Sequence, residues 1–123
     1  MREAVPLCNS TDLVDGGTAV PFDIVFAGQA CRAFAIRYQG RVHAYLNRCA
    51  HVAMEMDWQR DRFFDDTGRW LLCSTHGAVY QPDTGACADG PCRGGLVKIA
   101  LTERQGAVHW HTGHNLQPVE FRK

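Results

Sequence analysis

The chain has 123 residues, and its 13 Lys and Arg balance 13 Asp and Glu to a formal net charge of zero. One domain over residues 1–123 follows from that length, and the missing basic excess excludes nucleic acid and anionic membrane surfaces as expected partners. No apolar run approaches the roughly 20 residues that cross a bilayer; residues 19–27, the most apolar stretch, are interrupted by Pro21 and Asp23. Met1-Arg2-Glu3-Ala4 does not open the basic and apolar regions of a signal peptide, so a cytoplasmic protein is expected, with a monomer as the default.

Helical periodicity is nearly absent, and short β-rich runs separated by turn residues predict an all-β fold of antiparallel sheets. Residues 20–27 are the first clear strand. Residues 31–38 and 41–47 alternate around Gln39-Gly40, a two-residue hairpin connection. Residues 57–68 (DWQRDRFFDDTG) carry Trp58, Phe63 and Phe64, too apolar for a disordered linker and expected to fold against a sheet. Residues 69–72 form a strand, residues 78–81 another, and Pro82-Asp83-Thr84-Gly85 is a turn. Residues 96–101 and 107–112 make a final pair around Gln105-Gly106, leaving a C-terminal tail over about 113–123.

Chemistry concentrates in two places. Cys49-Ala-His51 is followed by Cys73-Ser-Thr-His76, so two short loops each offer one thiolate and one imidazole in the same order. Each loop follows a predicted strand, which would hold its ligands rigidly. Two matched pairs of unlike donors suit an object with two different ends, such as a [2Fe–2S] cluster with two cysteines on one iron and two histidines on the other. The competing reading is a closed tetrahedral zinc site, for which Cys₂His₂ is also a valid donor set. Zinc modules usually draw both cysteines from one knuckle and both histidines from another, whereas here they interleave.

Cys49-x-His51 and Cys73-x-x-His76-Gly77 resemble the paired ligand loops of the Rieske [2Fe–2S] family, and the flanking sequence resembles its ferredoxin-type members. The resemblance covers residues 4 to about 111, with the cluster-binding part at about 47–95. It implies that Cys49 and Cys73 hold an inner iron, and that His51 and His76 hold an outer iron near the surface. Gly77 would let the backbone approach the cluster sulfurs. Gly90-Pro91-Cys92-Arg93-Gly94-Gly95 resembles the loop that covers the cluster, with Pro91 as its proline; on sequence alone it is equally an ordinary Gly-rich connection.

Several positions depart from the high-potential members of that family. Met54 and Thr75 stand where those members carry a disulfide across the two loops, and Ala78 replaces a serine that donates to a bridging sulfur. Tyr80, four residues after His76, matches a tyrosine that bonds a ligand sulfur, although a buried strand tyrosine is the plainer reading. Fewer donors to sulfur imply a potential in the lower half of the Rieske range. Of the remaining cysteines, Cys8, Cys31, Cys87 and Cys92, reduced thiols are expected, with Cys87 and Cys92 close enough in sequence to form a bridge. His109 and His111 share a strand face and are read as solvated rather than as a metal pair.

The resemblance implies a soluble electron carrier rather than an enzyme. The expected role is a ferredoxin component that passes single electrons from a flavin reductase to an oxygenase-type acceptor; no domain for a mononuclear catalytic iron is expected. Arg48, Val52, Met54 and Arg93, beside the histidines, are candidates for a small docking face. Two alternatives stay open. One is a small subunit or auxiliary module of a larger reductase; the other is a cluster-based redox sensor.

Overall fold

A computed structural model describes residues 4–47, 63–64, 67–72, 78–89, 95–113 and 116–118. The first strands are β1 (Ala4–Asn9), β2 (Val20–Phe26), β3 (Gln29–Tyr38) and β4 (Arg41–Leu46). Next come β5 (Leu71–Leu72), β6 (Val79–Tyr80) and β7 (Cys87–Asp89). The chain closes with β8 (Lys98–Ile99), β9 (Leu101–Arg104), β10 (Ala107–His111) and β11 (Leu116–Pro118). One turn of 3-10 helix, Ser10–Asp12, follows β1.

The strands form three antiparallel sheets: β11-β2-β3-β4-β8, β1-β10-β9 and β5-β6-β7. The alternation of β3 and β4 explains the layering. Ala33, Ala35, Ala44 and Leu46 face one core with Ile24, Ile99, Val108 and Trp110. Phe34, Ile36 and Tyr45 face the other with Phe63, Leu71, Ala78, Tyr80 and Leu96. Successive strand residues point to opposite faces, so the five-stranded sheet is a central layer buried on both sides. The β1-β10-β9 sheet covers one face, and the β5-β6-β7 layer covers the other.

Three hairpins close through the same two-residue geometry, with positive φ at both central residues: Ala27-Gly28, Gln39-Gly40 and Gln105-Gly106. This pattern matches the twist of the strands it joins. Asp15 reinforces the middle turn, accepting from the Gln39 N–H at 3.0 Å and the Gly40 N–H at 2.6 Å. Arg37 on β3 ties distant segments together. Its Nε donates to Leu13 O at 2.8 Å, and its Nη2 donates to Ser10 O at 3.1 Å and pairs with Glu103 at 2.5 Å.

The predicted strand at 96–101 is two strands. Ala100 separates β8, which pairs with β4, from β9, which pairs with β10; the chain changes sheets there, and Ala100 O accepts from the His111 N–H at 3.0 Å. Strands β1, β7 and β11 were not expected. β1 contains Pro6, which lacks a ladder donor, and its register with β10 shifts between Pro6 and Cys8. β11 places residues 116–118 of the predicted tail against β2.

Candidate metal centre

The four predicted ligands, Cys49, His51, Cys73 and His76, lie outside the described residues, as do Gly77, Pro91, Arg48, Val52, Met54 and Arg93. The elements that flank them are described. β4 ends at Leu46, three residues before Cys49, and Asn47 donates its N–H to Arg32 O at 2.9 Å. β5 ends at Leu72, directly before Cys73. Its pairing with β6, Leu71 with Tyr80 and Leu72 with Val79, brings together the chain on either side of residues 73–77.

The two ligand-bearing segments share a boundary. The chain that leaves β4 returns at Phe63, whose carbonyl accepts from the Leu72 N–H at 2.8 Å, and Phe64 bridges to Leu71. Phe63 stacks on Phe34 with ring centroids 3.7 Å apart and planes 9° from parallel. Phe63 and Phe64 are therefore buried against the central sheet, as their apolar character predicts; Trp58 lies outside the described residues.

A second connection runs through the turn between β6 and β7. Tyr45, four residues before Cys49, is fully buried and donates its hydroxyl to Pro82 O at 2.7 Å. Burial, and then the charge of Asp83, raise the Tyr45 phenol well above its ordinary pKa. Lys98 Nζ donates to Asp83 O at 2.5 Å and lies 5.8 Å from the Tyr45 ring centroid. Gly85 has φ of +76°, and a Cβ there would sit 2.6 Å from Tyr45 Cε1. Leu96 N–H donates to Gly85 O at 2.8 Å, so the chain after the third loop anchors to the same turn. Neither Tyr45 nor Lys98 was singled out from sequence, because each reads as an ordinary residue of a strand.

Tyr80 is fully buried on β6, with Leu71 and Cys87 as its cross-strand partners. Ala78, the position read from sequence as lacking a hydroxyl donor, is also fully buried and lies in the same core. Cys8 and Cys31 are free thiols, as expected, and burial raises the Cys8 thiol first among several causes. Cys87 departs from the reduced state expected of it: it is disulfide-bonded, with its partner outside the described residues. Among the described residues no three His, Cys, Asp or Glu side chains gather to hold a metal, and no helix is long and apolar enough to cross a membrane.

The family model for the Rieske [2Fe-2S] domain matches residues 3–101. Among solved structures, the ferredoxin of carbazole 1,9a-dioxygenase from Nocardioides aromaticivorans IC177 superposes with a TM-score of 0.68 at 18% identity, covering 87% of this chain and 95% of that one. Sphingomonas yanoikuyae B1 ferredoxin gives a TM-score of 0.67 at 21% identity, covering 90% and 100%. A chain in the complex of reduced oxygenase and oxidized ferredoxin in carbazole 1,9a-dioxygenase gives 0.67 at 20% identity, covering 87% and 91%. No curated protein matches the chain. At these identities the structural likeness establishes the fold.

Proposed function

Because the chain belongs to the Rieske [2Fe–2S] domain family, whose cluster it therefore carries, we propose that it is a one-electron carrier in which Cys49, His51, Cys73 and His76 hold that cluster. The donor set fits the group. Two thiolates and two neutral imidazoles are the Rieske complement, and the replacement of two thiolates leaves the centre less negative and easier to reduce than an all-Cys cluster. Among the described residues the only buried side-chain oxygen or nitrogen without a hydrogen-bond partner is Ser10 Oγ. Ser10 lies in the turn after β1, so the described part of the cluster-binding layer holds no orphaned polar side chain that asks for a different group.

When bound, the cluster supplies a one-electron couple. The chain supplies position and insulation. β4 delivers Cys49 and His51, while the β5–β6 hairpin delivers Cys73 and His76. The Phe63–Leu72 hydrogen bond and the Tyr45–Pro82 hydrogen bond tie those two deliveries to one another. Leu71, Ala78, Tyr80 and Leu96, all buried in one apolar core beside the ligand-bearing segments, would keep water from that side of the centre. With both ligand pairs held by strands, little of the protein need move when charge changes. Tyr80 would offer its hydroxyl to a ligand sulfur, Gly77 would permit close backbone approach, and Pro91 would belong to the covering loop.

The role is that of a ferredoxin, cytoplasmic and monomeric, receiving electrons from a flavin reductase and passing them to an oxygenase across a face that includes Arg48, Val52, Met54 and Arg93. The family match over residues 3–101 is the observation that carries this reading, and the ferredoxin neighbours support it. Stopped-flow mixing of the oxidised holoprotein with NADH and a flavin reductase, followed by a Rieske oxygenase, tests it. Cluster bleaching in the first step and recovery in the second are expected. Bleaching that no acceptor reverses, together with stoichiometric retention of a large subunit on purification, would contradict the carrier role.

A further inference from the structure

We propose that the outward face of β9 and β10 is a binding site for the oxyanion group, phosphate or carboxylate, of a small ligand, received by Arg104, Thr102, His109 and His111. Strand alternation sends Val108 and Trp110 into the core and leaves Ala107, His109 and His111 on the outer face of β10. The register sets Thr102 opposite His109 and Arg104 opposite Ala107. These side chains line an open cavity of about 410 Å³ together with Gln105 and Ala4, a volume within the range of small-molecule sites.

The lining is one-sided in its chemistry. Arg104 brings a permanent cation whose planar fork matches an oxyanion in a bidentate way. Gln105 and His109 each bring a hydrogen-bond donor even when the imidazole is neutral, and Thr102 and His111, bonded to one another, keep one further donor between them. Among the described residues that line the cavity, none is acidic. The neighbouring carboxylate, Glu103, is engaged by Arg37 through a 2.5 Å ion pair, so it does not neutralise Arg104. A hydrogen bond between Thr102 Oγ1 and His111 Nε2 fixes that imidazole over the cavity, and a ring already held in place loses little freedom on binding. The same Arg104 disfavours the alternative occupant, a divalent cation chelated by the His109 and His111 pair.

The site is remote from the β5-β6-β7 layer. It lies on the outer face of the β1-β10-β9 sheet, with the central sheet between it and the cluster-binding layer, roughly 20 Å away at two sheet spacings. Its occupancy is measurable on the intact holoprotein. Titration of ¹⁵N-labelled, cluster-loaded protein with inorganic phosphate, and separately with acetate, reads both arms by NMR. Saturable shifts confined to Thr102, Arg104, Gln105, His109 and His111 are expected with at least one of the two anions, and the stronger of them identifies the ligand group. Arg104→Ala should weaken that binding about tenfold or more, while Arg41→Ala, on the central sheet, should leave it unchanged. Shifts that stay linear with both anions, or binding indifferent to Arg104→Ala, would overturn the proposal. So would saturation by Zn²⁺ in a parallel titration with neither anion bound.

Discussion

Tyr45 donates its buried hydroxyl to the carbonyl of Pro82 at 2.7 Å, linking the strand that precedes the first ligand pair to the turn that follows the hairpin of the second. Removing that hydroxyl leaves a buried carbonyl unpaired while the ring still fills its place against Phe34 and Gly85. Tyr45→Phe should therefore cost about 1–3 kcal/mol in denaturant unfolding and broaden the EPR lines of the reduced cluster. Unfolding midpoints equal to those of the parent would mean that the bond contributes nothing.

The same phenol predicts an alkaline limit. Its folded-state pKa is raised, so the unfolded chain releases that proton first, and stability falls as pH rises through the ordinary tyrosine value near 10. In Tyr45→Phe this part of the alkaline decline should be missing. Urea midpoints measured from pH 8 to pH 11 give the comparison.

Gly85 and Gly106 have nearly the same positive φ, +76° and +78°, but different surroundings: Tyr45 crowds the first, and nothing lies within 4 Å of a Cβ at the second. Gly106→Ala should cost about 1 kcal/mol from backbone strain alone. Gly85→Ala adds a clash with the Tyr45 ring and should cost clearly more, by a further 1–3 kcal/mol or so. Equal losses in thermal unfolding would argue that the Tyr45 ring is free to move aside.

Glu103 titrates lower than an ordinary carboxyl because Arg37 hydrogen-bonds to it, with the charge of Arg37 adding to the effect. A depressed carboxyl contributes stability that is complete above its unfolded pKa and is lost as pH falls through the folded value. Glu103→Gln should thus flatten the acid side of the stability profile while changing stability at neutral pH by less than about 1 kcal/mol. Arg37→Ala should cost more, since it also strips donors from Leu13 O and Ser10 O. Urea unfolding from pH 6 to pH 3 separates the two.

Phe63 fills the space over Phe34 and marks where the chain returns from the first ligand segment. Phe63→Ala should destabilise the fold by about 3–5 kcal/mol and lower the iron content of purified protein. A variant with full iron content would show that the stack does not hold that segment.

Much of this architecture was legible in the sequence because it rests on local chemistry. Gln39-Gly40 and Gln105-Gly106 announce their hairpins, and the apolar pair Phe63-Phe64 announces burial within an otherwise charged segment. What sequence did not disclose rests on distant partners. β1 is disguised by Pro6, and β11 exists only through β2. The sheet change at Ala100 has no local signal, since Leu96 to Leu101 reads as one apolar run. Tyr45 illustrates the site: its strand was foreseen, whereas its role depends on Pro82, 37 residues away. The ligand set itself was read from spacing, and the family match over residues 3–101 agrees with the cluster it implies.

The most direct test is the EPR spectrum of anaerobically purified, dithionite-reduced protein, with iron, sulfide and zinc quantified on the same sample. The account predicts two irons and two sulfides per chain, a rhombic signal with the low average g of mixed cysteine and histidine ligation, and loss of that signal in His51→Ala. A silent spectrum with one zinc per chain would mean that the two loops build a structural site, and the electron-carrier reading would fall.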